Sequence, residues 1–167
     1  MKTLITHIRP HLDDICAMWL LGRYHEDSKN AALEFIPYMN EPIAEEADKI
    51  FVGIGRGKFD EHKGDIDECA ASLVFRFLKD VRSFEKKELW ALEKIVDWVL
   101  RDDTGKLMAV PDRKFTIPSA LLGVYYAHEN NSMVAAETGF ALLDGIFENL
   151  LDQAMLEEDW VNRLSFF

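Results

Sequence analysis

The chain has 167 residues, 49% of them hydrophobic, with 11 Phe and 4 Trp, enough for one domain with a real core. Nineteen Lys and Arg against thirty Asp and Glu leave a net charge of −11, which excludes a broad basic surface for coating nucleic acid. No apolar run approaches the ~18 residues of a membrane span. Cys16 and Cys69 sit in apolar helical patterns rather than a disulfide framework, so the cytoplasm is the expected compartment.

Residues 2–8 read as a buried strand, and a Pro-containing turn then leads into an apolar helix over 14–24. Ala31 to Met39 reads as a second strand, Ile43 to Asp48 as a short helix, and 49–54 as a third strand running into a glycine-spaced loop. From residue 67 the pattern turns helical. Asp67 and Glu68 suit a helix start, and Ala70, Leu73, Val74, Phe77, Leu78 and Val81 keep a 3.6-residue stripe. Further helices are expected over 84–101, from Pro118 through Ala127, and around Gly139 to Leu151. The tail keeps Leu156, Trp160, Leu164 and Phe167 at roughly helical spacing, which implies docking on the body or on a second copy of the chain. Strands alternating with helices give an α/β fold, a parallel sheet with flanking helices and a helix-rich C-terminal half. A single domain over 1–167 is expected, with the chemistry-bearing region at about 1–105 and a helical remainder over 106–167.

Three stretches carry the chemistry. In the first, His7, His11 and Asp13 fall where a strand hands over to a helix, the edge at which open α/β sheets bind ligands. Imidazole and carboxylate together suit a divalent transition ion. The competing reading makes Asp13 or Asp14 a helix cap and His7 a hydrogen-bonded strand end. The second stretch runs from Gly53 to Gly64. Three alternate glycines allow close backbone approach, Asp60, Glu61 and His62 offer metal-ligand or proton-transfer groups, and Arg56, Lys58 and Lys63 add positive charge suited to a phosphate. A tight glycine turn with solvated charges is the alternative. In the third stretch, Asp102 and Asp103 end a helix, where carboxylates face the negative end of the macrodipole. Local rules are broken in this way where function demands it.

Together these stretches resemble the DHH phosphoesterase superfamily, which includes RecJ-type exonucleases, oligonucleotide phosphohydrolases and family II inorganic pyrophosphatases. His7-Ile-Arg-Pro10-His11-Leu-Asp13 is similar to the family's opening His-x-x-Pro-Asp-x-Asp, and Asp60-Glu61-His62 to its Asp-His-His. Asp103, with Asp102 as the neighbouring choice, matches an Asp near the end of a following helix. His11 stands where most members have Asp, and Glu61 where they have His. Val52-Gly53-Ile54 lacks the metal-bridging Asp of the family's third strand, and only helices are expected after residue 115, without the glycine-rich His motif of the family's substrate-binding domain.

The resemblance implies a phosphoesterase or phosphohydrolase using divalent ions, manganese foremost, on a small phosphorylated substrate or short oligonucleotide and not on long duplex DNA. It implies His7, His11, Asp13, Glu61 and Asp103 as metal ligands and His62 as the group acting on substrate. Asp60 would assist as an orienting residue, with Arg56 and Lys58 holding phosphate oxygens. Gly53→Asp is then expected to raise metal affinity. The alternative is a catalytically degenerate relative serving as a binding or oligomerisation module.

Overall fold

The computed structural model describes residues 2–44, 46–62, 67–107 and 113–164, excepting the side chains of 113 and 157–164. Three parallel strands, β1 (Thr3–His7), β2 (Ala32–Ile36) and β3 (Lys49–Phe51), lie in the order β2-β1-β3. Thr3 is in register with Ala32 and Lys49, and His7 with Ile36. Leu4, Ile5 and Thr6 of the central strand are all buried, the continuous burial of a strand covered on both faces. β2 stops at Ile36 because Pro37 has no N–H to continue the ladder. The strand expected over 49–54 ends at Phe51, beyond which a single bridge joins Val52 to Phe59.

The helices are α1 (Leu12–Tyr24), α2 (Ala70–Val81), α3 (Lys86–Asp103), α4 (Ile117–Ala127) and α5 (Ser132–Leu164). The fold is therefore α/β with a helix-rich C-terminal half. The short helix expected over 43–48 is not formed by the described residues of that segment. Instead the Ile43 N–H donates to the Gly55 carbonyl, pinning the segment to the glycine loop, and a turn returns the chain to β3. α2 begins later than Asp67 because the Ser72 hydroxyl accepts the Cys69 N–H and fixes the first turn there. The two apolar stretches expected after residue 139 are one continuous helix, α5.

α1 is the hub of the fold. Ile15, Cys16, Ala17, Met18, Leu20 and Leu21 are buried, and α1 packs against α2, α3, α4 and α5. A helix apolar on most faces belongs in the middle of the body. α5 closes on it through Leu143 and Phe147, and through Asp144, which accepts hydrogen bonds from the Trp19 indole and the Arg23 guanidinium at 2.9 Å each. The closest approach is at Gly139, where a Cβ would fall 2.6 Å from Ile15 Cγ2. Leu156, expected to dock, is 68% exposed, while the side chains of Trp160, Leu164 and Phe167 lie outside the described residues. Among the described residues no helix is long and apolar enough to cross a membrane.

Two glycines of α5 should respond oppositely to added side chains. Gly139→Val forces branched methyls into Ile15 and should cost about 1–3 kcal/mol. Gly145 has nothing within 4 Å of its Cβ direction. Gly145→Ala should therefore gain roughly 0.5–1 kcal/mol from helix propensity alone. Urea denaturation of both variants checks this, and a Gly139→Val protein as stable as wild type would contradict the close packing.

Candidate metal centre

The carboxyl end of β1 delivers His7 to the edge of the sheet, nearly buried. Its ring is fixed on both nitrogens. Nδ1 lies 2.9 Å from the Ile8 carbonyl oxygen, and Nε2 lies 2.9 Å from Asp14 Oδ2. Both neighbours are acceptors, so a neutral imidazole can donate to only one of them. Burial opposes charge on His7, but the Asp14 carboxylate and the Ile8 carbonyl outweigh it and hold the imidazole above its ordinary pKa of 6.5. The same arrangement suits a metal ligand. Metal-bound histidines donate their other N–H to a carbonyl or carboxylate. A separation of 2.9 Å matches neighbouring ligands on one ion about 2.1 Å from each.

The start of α1 supplies two consecutive carboxylates, both buried. Asp14 Oδ2 accepts the His11 N–H at 2.9 Å, closing the first turn, and also faces His7. Asp13 Oδ2 accepts the Ala70 N–H at 3.3 Å, at the start of α2. Asp103 arrives from the last residue of α3, and Glu61 from the loop after β3.

Ligand atoms fall into three sets, each within 4.8 Å: His7, His11 and Asp14; Asp13, Glu61 and Asp103; and Asp60, Glu61 and His62, which shares Glu61 with the second. The site thus gathers every metal ligand expected from the sequence and adds Asp14, read there only as a cap. Asp102 lines the same cleft but lies outside all three sets.

Crowded carboxylates raise one another's pKa. Burial first, then Asp14 and the neighbouring acids, push Asp13 well above its usual range. Burial pushes Glu61 up to about 7, with Asp14 and Asp103 adding to it, and burial followed by Asp14 also raises Asp103. Glu61 Oε2 is buried without a hydrogen-bond partner among the described residues. A buried acceptor left bare is costly, and a cation would satisfy it.

The glycine loop closes on itself. The Gly53 N–H donates to the Phe59 carbonyl, and Asp60 Oδ2 accepts the Arg56 N–H. Asp60 Oδ1 accepts both the His62 N–H at 3.0 Å and the ring Nδ1–H at 2.8 Å. Both Asp60 oxygens are thereby used in positioning, and Nε2 is the remaining nitrogen of His62, a cleft-lining residue. The Tyr38 ring lies edge-on, 5.8 Å from the rings of both His7 and His62.

Arg56 and Lys58 do not line this cleft. Arg56 Nε donates to the Asn40 carbonyl at 2.6 Å, and Lys58 Nζ sits 3.5 Å over the Phe77 ring, a cation–π contact. Lys63 lies outside the described residues. The cation the cleft does contain is Arg9, which sequence reasoning missed. Its backbone is left-handed, at φ 58°, and no local sequence rule announces that for arginine.

Gly53 also has a role other than the expected one. At φ 61° its Cβ would lie 1.8 Å from Asp14 Oδ1. A carboxylate oxygen from α1 thus occupies the space over this bare glycine. Against known proteins, the chain matches no family model, no curated relative and no solved structure.

Two predictions follow from this crowding. Gly53→Asp should displace Asp14 and lower Mn²⁺ affinity by about tenfold or more, the reverse of the expectation from sequence. Calorimetry measures it, and tighter binding by the variant would refute the placement of Asp14.

The second concerns pH. The raised carboxylates make the native state bind more protons than the unfolded chain. Without metal, stability should therefore fall as pH rises from the ordinary glutamate value of 4.5 to about 7. His7, also raised, loses its favourable proton in the same sense. Glu61→Gln should flatten that slope when denaturation midpoints are compared in chelator at pH 4.5 and 7.5. Equal slopes in the two proteins would show that Glu61 is not held at high pKa.

Proposed function

We propose that the protein is a divalent-metal-dependent phosphohydrolase acting on a small phosphorylated substrate or a short oligonucleotide, with Mn²⁺ the preferred ion. One observation carries the reading: of three sets of three ligand atoms, two lie side by side in the sequence of α1 through the consecutive Asp13 and Asp14, and the third places His62 next to them through the shared Glu61. The bare Glu61 oxygen supports a cation there, and the cluster's mixed imidazole and carboxylate donors suit manganese better than calcium.

His7, His11 and Asp14 would hold one ion, and Asp13, Glu61 and Asp103 a second. When bound, divalent ions supply Lewis acidity and neutralise phosphoryl charge. Asp60 fixes the His62 tautomer with the proton on Nδ1 in the neutral ring, so that Nε2 can carry a second proton to the leaving oxygen. Tyr38 restricts the swing of both imidazoles. The cleft, about 1120 Å³, fits a small molecule, and the net charge of −11 offers no track for a long duplex. A cytoplasmic location is supported by two buried cysteines that remain free thiols.

The test is phosphate release from pyrophosphate, nucleotides and dinucleotides with added Mn²⁺, alongside calorimetry of Mn²⁺ itself. His62→Ala should lower turnover by about 10²–10⁴-fold while leaving Mn²⁺ affinity within about twofold, as removal of a general acid does. Asp14→Ala should weaken Mn²⁺ binding by about tenfold or more and lower turnover with it. A wild-type protein that binds no divalent ion at neutral pH, or activity that survives both substitutions, would overturn the reading.

A further inference from the structure

Beyond the carboxylates, the cleft has a second wall that the proposed chemistry does not use. Pro118, Leu121 and Leu122 of α4 face it, with Leu122 42% exposed, and Tyr38 stands among the ligand side chains. Arg9 joins this wall to the ligand cluster, lying two residues after His7 and two before His11.

Its placement is built, not incidental. The left-handed backbone at residue 9 is held by the Arg9 N–H donating to Ser132 Oγ at 2.9 Å. The Tyr125 hydroxyl donates to the Pro10 carbonyl at 2.7 Å and ties the same turn to α4. The Arg9 guanidinium then lies 5.3 Å from the Tyr125 ring centroid. It is the one Lys or Arg among the described lining residues, and it pairs with no carboxylate among the described residues, in a cleft rich in them. A guanidinium stacked on a ring keeps its donor edge available for a planar or tetrahedral oxyanion.

We propose that Arg9 anchors the substrate phosphate and that the α4 wall receives an apolar or aromatic ester group, which makes the substrate an organic phosphomonoester rather than pyrophosphate. The proposal rests on the metal-centre reading for the position of the reacting phosphoryl group. The Arg9 and α4 contacts themselves are read separately. Inorganic phosphate would use Arg9 alone, whereas phenyl phosphate would add the burial of its ring against Leu121 and Leu122.

Calorimetry on the full chain, with and without Mn²⁺, tests this using inorganic phosphate and phenyl phosphate as probes. Phenyl phosphate should bind about tenfold or more tightly than phosphate. R9Q should weaken both probes by about tenfold or more, as loss of a charged hydrogen-bond partner does, with Mn²⁺ affinity unchanged. L122N, at an exposed helix position, should bring phenyl phosphate down to the level of phosphate and leave phosphate itself alone. S132A should reproduce part of the R9Q loss by releasing the turn. Failure of Mn²⁺ to bind would strike the metal centre, while anion binding that still responds to R9Q and L122N would uphold this proposal. Equal affinity for the two probes, R9Q binding like wild type, or no anion binding under either condition would overturn it.

Discussion

Carboxylate crowding at the N-terminus of α1 is the constraint around which the rest of the molecule is arranged. Asp13, Asp14, Glu61 and Asp103 approach one another on one side of a single cleft. The crowding shows in the protons these groups retain: Asp13, Glu61 and Asp103 are all held above their ordinary pKa, so charge at the site is avoided by protonation and ionising it costs stability. Relief within the chain is partial. Ala70 gives Asp13 one N–H, His11 and His7 serve Asp14, and Glu61 Oε2 receives nothing from the described residues. An apolar or neutral set of side chains would fold more easily. The cost makes sense where a bound cation repays it.

The fold provides the means of holding that charge in place. Consecutive residues on a helix point about 100° apart, so Asp13 and Asp14 reach different neighbours from one turn. One meets α2, with α3 contributing Asp103 beside it; the other meets the end of β1. α1 can carry this load because its remaining faces are sealed by apolar contacts with the helices around it. The Gly139–Ile15 contact lets α5 approach closely enough to clamp it. Gly53 performs the matching service on the sheet side, leaving a gap that a carboxylate oxygen fills. Arg9, left-handed without being glycine, sits in the loop between β1 and α1 that carries His7 and His11.

Much of this was legible in the sequence, and the exceptions have physical causes. Strand β1 and helices α1, α2, α3 and α4 follow from apolar periodicity. Their ends shift by a few residues, since caps such as the Ser72–Cys69 pair are local geometry and not pattern. The segment 43–48 has helix-forming composition, yet its Ile43 N–H is claimed by Gly55, a tertiary bond that propensity cannot anticipate. In the site, His7, His11, Asp13, Glu61 and Asp103 were visible as residue types at strand and helix ends. Asp14 was hidden by its own plausibility as a cap, which it also is. The basic residues misled in the opposite direction: Arg56 and Lys58 look like phosphate ligands by proximity to the motif, but one turns to the Asn40 carbonyl and the other covers Phe77.

That redistribution of cations has a consequence for how the cleft works. With Arg56 and Lys58 engaged elsewhere, Arg9 is the one Lys or Arg among the described lining residues, set against the carboxylates of Asp13, Asp14, Glu61, Glu68, Asp102 and Asp103. On the proposed reading, each divalent ion held by the ligand sets would add two positive charges beside the phosphoryl group, and phosphate would bind more tightly with the ion present than without it. On the same reading Arg9 would supply direction rather than bulk charge, because the turn from His7 to His11 places its guanidinium beside Tyr125 of α4 and the imidazoles beside the carboxylates.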